Sequence, residues 1–144
     1  MLYKILLEAH SGVRYLVLLL LIVVIVKSLM GLINKRPFAK GDNLLSLFLL
    51  IFTHIQLLLG LFLYFVSPRV NFGPEAMTDY YRYFTAEHIT GMLVAVVLIT
   101  IARSTSKRMT DPAAKHKRLF LFNTIALVII LIVLVLGGVK IVGR

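Results

Sequence analysis

The chain has 144 residues, of which 60% are hydrophobic, with a formal net charge of +10 and no cysteine. Its mean hydropathy is +0.95, far above that of a soluble domain, where apolar residues make up about 45–50%. The absence of cysteine excludes disulfides, thiolate zinc or iron–sulfur sites and the C-x-x-C-H attachment of c-type haem, so any metal has to be held by His, carboxylate or Met.

This length divides into about four spans of roughly 20 residues joined by short connections. The fold expected is an all-α integral membrane protein, an antiparallel bundle of four transmembrane helices in one domain. Most basic residues fall between the apolar runs, where they act as topology signals and contacts for anionic lipid. Nucleic acid is therefore not an expected partner.

The first span is predicted over about 12–34, with Lys27 close enough to its far boundary to extend its ammonium to the interface. Glu8, His10 and Arg14 interrupt what would be the apolar core of a signal peptide, so this span is read as permanent. Asp42-Asn43 is a plausible cap for a second span over about 44–66, which Ser67-Pro68 ends. The segment to Tyr83 contains Pro68, Gly73 and Pro74 and leads into Tyr80, Tyr81 and Tyr83, an interfacial aromatic belt. A third span is predicted over about 84–102, a polar basic link over 103–118, and a fourth span over about 119–139.

Lys and Arg number ten on the side of the first and third links, Lys27 included, and six on the other side. The positive-inside rule then places both termini and the loop over 67–83 outside, in a bacterial inner membrane.

The four histidines carry the functional argument, because an ionisable group within a span marks a site and needs a partner. His10 at the start of the first helix and His88 about one turn into the third lie at matching depth toward the outer face. Two such imidazoles on facing helices suit a b-type haem held from both sides. Gly91 and Ala95 follow His88 at one and two turns and would clear a groove for a flat ring. Arg14 or Arg82 would pair with the propionates, and Glu8 and Glu87 would orient an imidazole or balance charge. The competing reading makes His10 and His88 interfacial residues bonded to each other or to lipid headgroups.

His54 falls near the middle of the second helix. There a hydrogen bond across helices is favoured over a proton or quinone site or an alternative iron ligand. Ser46, Thr53 and Gly60 recur at seven-residue steps and would form a small, polar packing stripe. His116 reads as a solvated member of a basic loop. Asn123 and Thr124 are expected to bond across helices.

Glu8-Ala9-His10 with Arg14, then Gln56-Leu57-Leu58-Leu59-Gly60, then Glu87-His88, resemble the histidine-bearing helices of haem A synthase and its small four-helix, cytochrome-b-like relatives. The likeness covers roughly the first three helices. It implies that His10 and His88 are axial haem ligands. The chain departs from the synthase in its short length and in the looser spacing of Glu8, His10 and Arg14.

The function expected is thus a membrane b-type cytochrome that passes electrons in a respiratory chain, with quinone or a respiratory complex as partner and a homo-oligomer as one possible state. Two other classes stay open: an accessory subunit of a membrane respiratory complex, and a haem-modifying enzyme.

Overall fold

The computed structural model describes residues 1–138, and the end of the fourth expected span at Val139 lies outside them, as do Lys140 and Arg144. The protein is a bundle of four antiparallel helices, each long and apolar enough to cross a membrane: α1 (Leu2–Ile33), α2 (Lys40–Val66), α3 (Asp79–Arg108) and α4 (Pro112–Leu136). Each helix packs against the next in sequence, and α4 closes the ring against α1. Of these four seams, the one between α2 and α3 is the sparsest. Both described chain ends and the segment over 67–78 share one end of the bundle, here the terminal end. The two short links, over 34–39 and 109–111, share the other, here the link end.

All four helices are longer than hydropathy alone suggests, and at the starts of α2 and α4 a carboxylate supports the extra turns. The α1 helix begins at Leu2 instead of residue 12, so His10 lies about 12 Å inside it at 1.5 Å per residue. The α2 helix begins at Lys40, and Asp42 caps it from within by accepting the Ala39 N–H at 2.9 Å. Asn43 is not part of that cap, since its side chain is used elsewhere. The α4 helix starts with Pro112 in its first turn, where a missing N–H costs nothing, and the Asp111 carboxylate accepts the Ala114 N–H at 3.3 Å. Tyr80, Tyr81 and Tyr83 are helical as well, because α3 runs from Asp79 through a π-helical turn at Tyr83–Glu87 into His88–Arg108.

The core is a column of Leu21, Leu49, Ala102, Leu119 and Ala126 at the bundle centre. Polar braces tie its link end. Arg103 is 8% exposed, and its Nη1 donates to Asn43 O at 2.9 Å, Asn43 Oδ1 at 2.6 Å and Ser46 Oγ at 2.7 Å, which pins α3 to α2. A buried guanidinium is tolerated only when its donors are satisfied in this way. Lys27 meets Asp42 at 3.5 Å, joining α1 to α2. Replacing Arg103 with Leu is expected to cost about 1.5–3 kcal/mol, the scale for hydrogen bonds to a charged group. A detergent-unfolding midpoint unchanged by Arg103→Leu would show that the brace contributes nothing.

His116 belongs to this end and is not a solvated loop residue. With α4 starting at Pro112, it is helical and only 1% exposed. Its ring lies over Phe38 with centroids 5.2 Å apart, and Nε2–H donates to Arg36 O at 3.2 Å. Asn123 Oδ1 and Thr124 Oγ1 are buried without a hydrogen-bond partner, so these atoms do not form the expected bonds across helices.

Candidate functional site

The half of the bundle toward the terminal end does not close. A cavity of about 450 Å³ lies between the helices, within the range of roughly 300–1,000 Å³ usual for ligand pockets. Its α2 wall runs from Thr53 to Ser67, a height of about 21 Å along the helix axis. Leucine, isoleucine, valine and methionine make up half of the lining residues, with polar groups gathered at several levels.

The first level holds the two histidines. His10 is the ninth residue of α1, and His88 is the tenth of α3, so the antiparallel ring of helices brings them to the same depth. Both line the cavity, with ring centroids 6.3 Å apart and planes at 67°. A metal–imidazole bond is about 2.0–2.1 Å, and an imidazole's centroid lies about 1.1 Å from its nitrogen, so two imidazoles on one metal have centroids about 6.3 Å apart. The observed separation matches that distance and also lies within the range of an edge-to-face ring pair. His10 Nδ1 is buried and has no hydrogen-bond partner, an orphaned lone pair or proton of the kind a ligand accounts for. The described residues contain no group of three or more His, Cys, Asp or Glu able to hold a metal ion. Any metal held by these two imidazoles would have to bring its other donors with it.

His10 is held by α2 residues that themselves line the cavity. Gln56 Nε2 donates to His10 O at 2.9 Å and ties α2 to α1 at the ligand level. One turn on, Gly60 leaves the space that the His10 ring occupies, since a Cβ there would stand 3.2 Å from His10 Cε1. Gly60→Leu is therefore expected to displace His10 and fill the cavity, abolishing haem uptake while the helix content by circular dichroism stays the same. Gly60→Ala should weaken uptake only modestly, because the ring has to give by a few tenths of an ångström. Full haem occupancy in Gly60→Leu would remove His10 from the site.

Two arginines line the cavity on either side of the histidine level. Arg14 lies one turn past His10, about 6 Å farther from the terminal end, and Arg69, in the segment after α2, stands at the mouth. Arg69 stacks on Tyr80 at 4.8 Å and on Phe84 at 5.1 Å, so cation–π contacts keep its guanidinium at the rim. Sequence reasoning counted Arg69 only as a topology charge. Its position beyond Ser67-Pro68 gives no sign that the chain turns back over the cavity.

Three of the expected cofactor-binding residues are placed elsewhere. Arg82 is exposed on α3, bonded through Nε to Glu87 Oε1 at 2.8 Å, and neither residue lines the cavity. Those two charges balance each other on the helix surface. Gly91 faces α4, where a Cβ would collide with Val133, so it allows α3 and α4 to approach and does not open the groove. Ala95 does line the cavity, and so does Glu8. His54 is exposed, and its Nδ1–H donates to Leu50 O at 2.8 Å in its own helix, so the cross-helix bond expected of it is not made. The Ser46, Thr53 and Gly60 stripe does face inward, toward Arg103, the deep cavity and His10 in turn.

The architecture and cavity together define a class, a four-helix membrane bundle with a paired-imidazole pocket. Comparison with protein-family models, curated proteins and solved structures returns no match.

Proposed function

We propose that this protein is a membrane b-type cytochrome that holds one haem between His10 and His88 and transfers single electrons. The observation that carries the reading is the 6.3 Å separation of two imidazoles from different helices inside one apolar cavity. The resemblance of the histidine-bearing segments to those of haem A synthase and its small relatives supports the same ligands.

His10 and His88 would hold the iron, and Arg69 at the mouth would meet a propionate, since a guanidinium fits a carboxylate with two donors, while Arg14 lines the pocket one turn beyond His10. Haem supplies a one-electron couple, whose potential the axial ligands and their surroundings set. The chain's own part is to fix the imidazoles, keep the pocket dry and neutralise a propionate. With His10 and His88 both engaged in holding the iron, the site would offer no open position to substrate, which favours electron transfer over catalysis at the metal. The partner would be a quinone or a respiratory complex. The excess of Lys and Arg on the link side supports a cavity mouth on the outer face of a bacterial inner membrane.

The test is a reduced-minus-oxidised spectrum of the purified protein, with haem b bands at about one haem per chain expected. A visible spectrum without such bands, both as isolated and after incubation with haemin, would overturn the reading.

A further inference from the structure

The π-helical turn at Tyr83–Glu87 determines which residue lies beside His88. In an α-helix, residues five apart are separated by about 140° around the axis, so Tyr83 would face away from His88. In a π-turn residue i+5 closes the turn, and here the His88 N–H donates to Tyr83 O. The extra residue brings the Tyr83 side chain onto the face of the His88 ring, and the hydroxyl oxygen comes within 3.4 Å of His88 Nδ1.

The turn is tied down on several sides. Tyr64 Oη–H donates to Thr85 O at 2.6 Å, and the Asn71 N–H donates to Thr85 Oγ1 at 3.0 Å. The Tyr83 ring is buried against Gly137, where any Cβ would overlap it. Its hydroxyl proton is already committed, because Oη–H donates to Val133 O at 2.6 Å. A hydroxyl has one proton to give. Toward His88 the oxygen can therefore only accept.

We infer that Tyr83 is a positioning residue that holds His88 as the Nδ1–H tautomer, so that Nε2 carries the lone pair offered to the cavity and its donor strength is raised. The tautomer follows from the protein alone, whereas the effect on donor strength rests on the cytochrome reading. A ligating histidine that donates its other N–H is a stronger base, and it favours the oxidised state of the metal it binds.

Two measurements separate these parts. In haem-free protein, nitrogen NMR of His88 at a pH where it is neutral should show a protonated Nδ1 and a bare Nε2. In Tyr83→Phe, which keeps the ring in its Gly137 notch, the two shifts should move toward each other as the Nε2–H form gains population. A protonated Nε2 in the wild type, or shifts unmoved by Tyr83→Phe, would overturn the tautomer assignment. In the haem-loaded protein, Tyr83→Phe should keep the absorption bands and raise the midpoint potential. An unmoved potential, or loss of the haem, would overturn the effect on donor strength, the latter by making Tyr83 a structural residue only. Wild-type protein that takes up no haem would overturn the cytochrome reading and the donor-strength effect with it, while the NMR result still decides the tautomer.

Discussion

Alanine at His10 or at His88 is expected to abolish the haem bands, whereas His54→Ala leaves them intact. The two single substitutions should act alike because each removes one of only two protein donors at the cavity's ligand level, where the ring centroids are 6.3 Å apart. Neither loss has an obvious substitute. His54 is exposed and bonded to its own helix, and His116 lies at the link end against Arg36. The His54 variant is the informative control, since it removes an imidazole from mid-span without touching the cavity. A spectrum unchanged in both His10→Ala and His88→Ala would overturn the ligand assignment.

The second large effect lies far from the cavity. Gly31→Ala is expected to destabilise the bundle by about 1–3 kcal/mol, the usual cost of overpacking a closed core, and Gly31→Val by more. A Cβ at Gly31 would stand 2.5–2.6 Å from three atoms of the His116 ring, below any real contact distance. The ring has nowhere to go, being 1% exposed, packed at a tilt against Phe38 and bonded to Arg36 O. Pairing Gly31→Ala with His116→Ala should therefore cost less than the sum of the two single changes, because the second removes the obstacle to the first. Additive losses in detergent-unfolding midpoints would show that the two residues do not meet.

The fold was legible because its signal is spread over long apolar runs. Four spans, their order and their antiparallel arrangement follow from hydropathy and from the basic links alone. What hydropathy missed were the polar turns at the helix ends: residues 2–11, 79–83 and 112–118 are helical although they carry charge, with the burial of Tyr83 and His116 and the Asp111 cap holding the last two. That error of a few turns misplaced His116, which moved from a solvated link into a buried helix. His10 and His88 were legible from their depth, which depends only on residue counts along two helices. The roles of Arg82, Glu87 and Gly91 were not, because depth fixes how far along a helix a residue lies and not which way it faces. The π-turn rotates the whole stretch before His88, and no composition signal announces it. Arg69 escaped notice for a related reason, since its stacking on Tyr80 and Phe84 exists only once the segment after α2 has folded back.

The braces on Arg103, Lys27 and His116 all lie at one end of the bundle, while the sparse α2–α3 seam borders the open half. Backbone amides along α2 should accordingly exchange with deuterium in a gradient when no ligand is bound, slowest near Ser46 and fastest beyond Gly60. Filling the pocket should flatten that gradient from the fast side only. Such a protein would be assembled before it is loaded, with its anchored half serving as the template on which the other half closes.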